Sequence, residues 1–294
     1  MPIFNFQLNL IDPIDGYRER NEMPRLEAFN TQRIGKIMAS SNASSSSAPV
    51  LAGKVAFVTG GSRGIGAAIV RRLARDGAAV AFSYASSAAP ADELVRAVQA
   101  EGGRAFALKI DSADADALKA GIDQAAKHFG GRIDILVNNA GVLHLGPVEQ
   151  FPLADFDRTI AVNVRAVFVA IQAALAHMGT GGRIVNIGST NAERMPFAGG
   201  SVYAMSKSAL TGLVQGLARD LGPRGITVNN VQPGPVDTDM NPASGPMAAT
   251  MHGFMAIDRH GHADEIAGMV AYLAGPEAAF VTGAGLNIDG GFAA

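Results

Sequence analysis

The sequence predicts an α/β domain, a parallel sheet covered by helices on both faces. From Gly53 onward, short apolar runs alternate with stretches of helical spacing, and this alternation places helices against a largely buried parallel sheet. A glycine-rich segment, Thr59–Gly66, lies directly between the first apolar run and the first helical stretch. Residues 50–294 contain no internal repeat and no second domain boundary.

Val55–Val58 is a short apolar run ending in glycines, the mark of a buried strand. Ile65, Ile69 and Leu73 then recur at helical spacing up to Asp76-Gly77, where the glycine suits a C-terminal cap. Strand and helix readings follow in turn: strand 80–82, helix 91–100, strand 105–110, helix 115–129 closed by Gly130-Gly131, and strand 133–137. One long helix is predicted over 155–178, then strand 183–187, helix 202–221, strand 226–231, helix 263–274 and a last strand, 285–288.

The chain has 294 residues, a hydrophobic content of 48% and a formal net charge of -2, all in keeping with a soluble globular protein. It has no cysteine, which excludes disulfides, thiolate catalysis and cysteine-bound metal and suits a reducing cytoplasm. No basic run points to nucleic acid, and no apolar run approaches the ~20 residues that span a bilayer. Residues 1–49 read as a disordered N-terminal extension ending in the serine-rich linker Ser40–Pro49, and Met38 offers an alternative start. This segment lacks the apolar core of a secretory signal and is too acidic for a transit peptide.

The loop Thr59-Gly60-Gly61-Ser62-Arg63-Gly64-Ile65-Gly66 has the strand–loop–helix setting of a dinucleotide site. Gly60 allows the tight turn, Gly64 lets the backbone approach a pyrophosphate, and Gly66 lets helix and strand pack closely. The free N–H groups of the helix start, among them those of Ser62 and Ile65, favour phosphate. The second strand ends at Phe82-Ser83-Tyr84-Ala85-Ser86-Ser87, without the acid that would accept from a ribose 2′-hydroxyl and repel a 2′-phosphate. Arg63 can pair with that phosphate, or stand as a solvated loop charge, and Tyr84, Ser86 and Ser87 can donate to it. NADP(H) is therefore expected over NAD(H). Asp111 closes the third strand, where it can meet an adenine amino group or cap a helix. Asn138-Asn139-Ala140-Gly141 closes the fourth, as a cofactor-facing wall or a plain turn.

Tyr203 and Lys207 stand four residues apart in Tyr203-Ala204-Met205-Ser206-Lys207, so on a helix they share one face. A phenol is a poor acid or base at neutral pH, and a neighbouring ammonium favours its phenolate and lowers its pKa. Ser189 lies upstream in Ile187-Gly188-Ser189-Thr190.

Taken together, from about Leu51 to the C-terminus, these motifs resemble the short-chain dehydrogenase/reductase family. The resemblance rests on the Thr59–Gly66 loop, Asn138-Asn139-Ala140-Gly141, Asn163, Ser189, Tyr203-x-x-x-Lys207, Pro233-Gly234 with Thr238, and Ile288-Asp289-Gly290-Gly291. It implies a single doubly wound, Rossmann-type domain of about seven parallel strands. It also implies a reductase of carbonyl compounds, or a dehydrogenase of the matching alcohols. Tyr203 would be the general acid or base, and Ser189 would hold the substrate oxygen. Lys207 would bind the nicotinamide ribose and lower the tyrosine pKa, and Asn163 would hold a water that relays protons to solvent. Asp111, Ser112, Asn139, Ala140, Gly141, Pro233, Gly234, Val236 and Thr238 would contact the cofactor.

A homodimer or homotetramer through the helices bearing Asn163 and Tyr203 is also implied, and the apolar stretch 162–175 fits either that interface or internal burial. The segment 238–262 would be the substrate lid. Its Met247, Met251 and Met255 fall on one helical face and suit either an apolar ligand or ordinary packing. His260 and His262 read as solvated or hydrogen-bonded loop histidines, and no metal site is expected. The stretches Asp111–Asp114, Gln232–Pro242 and Met255–Gly261 also resemble a family member thought to act by binding cyclic di-GMP, which implies a second possible role, in signalling, on the same scaffold.

Overall fold

A computed structural model describes residues 48–294. The readings made for residues 1–47 lie outside the described residues. Seven strands form one parallel sheet: β1 (Val55–Val58), β2 (Ala79–Tyr84), β3 (Arg104–Lys109), β4 (Ile135–Asn138), β5 (Arg183–Ile187), β6 (Thr227–Pro233) and β7 (Gly285–Ile288). Their order is β3-β2-β1-β4-β5-β6-β7. Strand order reverses between β1 and β4, the place where a doubly wound sheet opens a crevice at the carboxyl ends of its strands.

The pleat sends alternate side chains to two separate cores. Ala56 and Val58 of β1 face one cluster, with α1 (Gly64–Arg75), α2 (Ala88–Ala100) and α8 (Ala263–Ala274). Val55 and Phe57 face the other. That second cluster also contains residues of α3 (Ala115–His128), α5 (Ala166–Ala174) and α6 (Ser201–Leu221). Burial on both faces explains why β1 and β4 read as unbroken apolar runs rather than alternating ones. The helix C-cap at Asp76-Gly77 forms as its sequence indicates: Gly77 takes φ +102°, and Gly77 N and Ala78 N donate to Ala74 O (2.9 Å) and Leu73 O (3.0 Å).

Two elements depart from expectation. α2 begins at Ala88 rather than Ala91, because Pro90 falls within the first turn, where its missing N–H costs nothing. The single helix predicted over 155–178 is three pieces: α4 (Leu153–Ile160), a π-helical turn (Ala161–Arg165) and α5, which ends at Ala174. Hydrophobic spacing is blind to one extra residue in a turn, so the π turn was not legible. It falls at Asn163, and such turns are frequent at functional sites. The lid contains one short helix, α7 (Ala248–His252). No helix among the described residues is long and apolar enough to cross a membrane.

Candidate active site

The first half of the site is made by backbone. Gly60 (φ +65°) and Gly64 (φ +52°) adopt the left-handed region. A Cβ on Gly66 would collide with Gly60 O and Asn139 Nδ2, and one on Gly61 would lie 2.6 Å from Phe82 Cβ. The strand ends are laced to this loop. Asn139 Nδ2 donates to Thr59 O (3.0 Å) and Gly60 O (2.9 Å), while Thr59 Oγ1 accepts from Asn139 N and Ala140 N (both 3.0 Å). Gly60 N donates to Ser83 Oγ (3.1 Å). The sequence reading placed Asn139 against a cofactor or in a turn. Its side chain holds the glycine loop, and Thr59 and Ser83, to which no role was given, do the same.

These elements open on one cavity of about 530 Å³, lined by residues that follow the carboxyl ends of β1 to β6. Gly60, Ser62, Arg63, Gly64, Ile65 and Gly66 line it, with Tyr84, Ser86, Ser87, Asp111 and Ser112 from the next two strand ends. So do Asn139, Ala140, Gly141, Ser189, Tyr203, Lys207, Pro233, Gly234, Val236 and Thr238. The groups suit a dinucleotide phosphate: the glycine cradle excludes side chains where a pyrophosphate would lie, and the helix start offers its N–H groups. Ser87 makes no cap hydrogen bond, so its hydroxyl is free to donate. Arg63 is exposed and, among the described residues, pairs with Asp239 (3.4 Å), an ion pair weak enough to yield to a phosphate.

Asp111 does not cap a helix. Asp114 caps α3, accepting from Asp116 N (3.1 Å) and Ala117 N (3.0 Å). Asp111 accepts two bonds from the Arg158 guanidinium (both 3.0 Å) and one from Ala113 N (3.0 Å). These hold its carboxyl below the usual range, the Arg158 bond most of all. Sequence reading missed Arg158, which has no motif, lines the cavity and pairs with Asp111.

The second half lies where α6 meets the end of β5. Lys207 is buried, and its Nζ donates to Ile187 O (2.8 Å) and stands 5.8 Å from the Tyr203 ring centre. Burial pulls its pKa down to about 8. The Tyr203 phenol is pushed up by burial, while a hydrogen bond with Ser189 pulls it down. Burial is the larger of the two, so the phenol stands above its ordinary value, with the Lys207 ammonium lying over its ring. Ser189 Oγ also accepts from Asn191 N (3.1 Å), which fixes its rotamer.

Asn163 is the one candidate that does not line the cavity. It is buried, its Nδ2 donates to Val142 O and Ser206 Oγ (both 3.0 Å), and its Oδ1 accepts from Val142 N (2.9 Å). The side chain is committed to bracing Val142 and α6, so any water it holds must be met by the backbone, whose carbonyl pattern the π turn alters. Of the three methionines, Met247 and Met251 line the cavity, whereas Met255 packs towards Gly290. Leu143, Leu145, Phe197 and Phe292 complete an apolar wall that sequence spacing did not reveal. His260 is not solvated: it is 3% exposed and bonded to His252.

A family model described as enoyl-(acyl carrier protein) reductase matches residues 60–293. The chain belongs to the short-chain dehydrogenase/reductase family. A short-chain dehydrogenase/reductase structure from Serratia marcescens is 64% identical, with a TM-score of 0.82 over 83% of this chain and 100% of the other. A short-chain dehydrogenase structure from Burkholderia cenocepacia in complex with NADP is 56% identical, with TM-score 0.82 and the same coverage. The cyclic-di-GMP-binding biofilm dispersal mediator protein of Escherichia coli is 54% identical over 242 residues, 82% of this chain and 98% of that protein. The seven-stranded doubly wound domain is the fold these relatives share with the chain.

Proposed function

We propose that this protein is an NADP(H)-dependent reductase of carbonyl compounds, running as an alcohol dehydrogenase in reverse. The observation that carries the reading is the joining of two features in one cavity: the glycine cradle at β1 and the Ser189–Tyr203–Lys207 group at the ends of β5 and α6. Its NADP-bound relative supports the choice of cofactor. Arg63, Tyr84, Ser86 and Ser87 would hold the 2′-phosphate, and Lys207 with Pro233, Gly234, Val236 and Thr238 the nicotinamide half. When bound, the nicotinamide supplies the hydride that the carbonyl carbon takes up.

The chain's own part is proton delivery and orientation. The Ser189 hydroxyl and the Tyr203 phenol donate to the substrate oxygen as it gains negative charge. A phenol kept protonated by burial is suited to give its proton in that step. Lys207, charged below about pH 8, stabilises the phenolate left behind. Asn163 holds the geometry of this group through Val142 and Ser206 and lies beside the route by which the proton is replaced. The apolar wall favours an apolar substrate portion. Assembly as a dimer or tetramer through α5 and α6 is part of the reading, supported by the exposure of Phe168 (50%) and Met205 (44%). A cytoplasmic setting is proposed with it.

A second reading, a cyclic-di-GMP-binding signalling protein, is favoured by the name of the Escherichia coli relative. One experiment separates the two: a panel of ketones and quinones with NADPH and NADH, run beside cyclic-di-GMP titration. Oxidation of NADPH by a panel member, with Arg63→Ala weakening NADPH far more than NADH, supports the reductase. No turnover together with micromolar cyclic-di-GMP binding supports the signalling role.

A further inference from the structure

We propose that His252 is a positioning residue for the substrate wall: one imidazole–imidazole hydrogen bond to His260 holds α7, and with it Met247 and Met251, over the cavity. The proposal deepens the reductase reading and rests on it for the identity of the substrate, not for the existence of the tether.

α7 has five residues, none of them buried. A helix that short does not hold itself in water. Among the described residues, the side-chain hydrogen bond that ties it to the rest of the chain is His252 Nε2 to His260 Nδ1, at 2.8 Å, the two rings meeting edge to face. Its anchor is firm. His260 is 3% exposed, and the next residue is locked to the root of the lid by Gly261 N to Pro235 O and Asp237 N to Gly261 O, both 2.9 Å. Met247 and Met251 flank and occupy α7 and line the cavity, so the tether sets where the apolar wall stands.

The charges around the pair decide which ring can carry a proton. Asp258 Oδ1 lies 3.5 Å from His252 Nδ1 and favours a proton there. In the neutral pair that leaves His252 Nε2 bare, so His260 Nδ1–H donates to it, and one of the two facing nitrogens must stay bare for the bond to exist. Burial and the neighbouring His252 hold His260 below its ordinary 6.5, with Asp237 pulling the other way. Arg259 donates to His260 O (3.0 Å), but its guanidinium is already forked onto Glu265 (2.8 and 2.7 Å). His262, across Gly261, stands at the N-cap of α8, where its N–H donates to the Glu265 carboxylate (2.7 Å), and among the described residues it makes no bond to the pair. A lowered pKa in the folded chain means the bond is present above 6.5 and is lost as the pH falls through the lower, folded value. Protonating both rings removes the acceptor and sets two like charges side by side.

The test is His252→Ala in the full chain, with hydrogen exchange followed at the Met251 and Gly253 amides at about pH 7.5 and about pH 5, corrected for chemical exchange. These amides close α7 on Met247 O (2.9 Å) and Ala249 O (3.1 Å). Wild-type protection should fall about tenfold at the lower pH, and the variant should show the low value at both. With a turned-over apolar ketone, the variant should raise KM several-fold with little change in kcat or NADPH affinity, and the wild-type KM should climb towards it on acidification. Equal protection in both proteins, or wild-type protection indifferent to pH, overturns the proposal. If no ketone is turned over, the reductase reading fails while exchange still decides the tether.

Discussion

Thr59–Gly66 and Thr238–His262 border the same cavity but are held by different means. The glycine loop is fixed by its own backbone and by five hydrogen bonds that join it to Ser83, Asn139 and Ala140. The lid is fixed by its ends. Its middle, α7, has no fully buried residue and leans on the His252–His260 contact. Residues that must be glycine or must cap a strand end impose local rules, so the loop is stiff. A segment positioned by one or two distant contacts can shift, which suits the part of the site that meets variable substrate.

The difference is broken most severely by placing a methyl group in the loop. Gly66→Ala would drive a Cβ into Gly60 O and Asn139 Nδ2. Overpacking of this kind costs up to about 3 kcal/mol, so NADPH affinity should drop by as much as about a hundredfold, with a lower Tm. Calorimetric titration and thermal melting check both. Unchanged binding would mean the loop is not the rigid half.

A smaller effect comes from pH. Burial brings Lys207 to about 8, so its charge is lost as the pH rises through that value. Tyr203, pushed upward by burial, stays protonated over the same range. The expected outcome is a fall in kcat/KM for ketone reduction above about pH 8, a limb that belongs to the lysine. A flat profile to pH 9 would show that Lys207 keeps its charge in the working enzyme.

The smallest effect belongs to the lid. Met251→Ala removes part of the apolar wall at a partly exposed position. KM for an apolar ketone should rise about three- to tenfold, the range of a partly buried side chain, with Tm within a degree or two and NADPH affinity unaltered. Steady-state kinetics beside a melting curve decide it. A large loss of stability would show that the lid is part of the core.

The same contrast explains what could be read from residues alone. Strands, crossover helices and the loop follow from apolar runs and glycines, and the cavity gathers almost every residue those patterns marked. Tyr203 and Lys207 were legible because helical spacing alone puts them on one face. The π turn at Asn163 was not, since it alters hydrogen bonding without altering composition. Neither was the burial that raises the Tyr203 pKa against the pull of Ser189. Arg158, Phe197 and the His252–His260 pair were illegible for a further reason: each enters the site through a contact with a residue distant in the chain or in a loop without periodic pattern.

The most direct measurement on the central claim is Tyr203→Phe, which keeps the ring and its packing and removes only the hydroxyl, whose pKa Ser189 lowers. Ketone reduction by the variant should fall by at least about a hundredfold, the scale of a lost general acid, while NADPH binding stays within about twofold of the parent. Retained turnover in Tyr203→Phe would contradict the account, because the cavity would then be delivering its proton from another group.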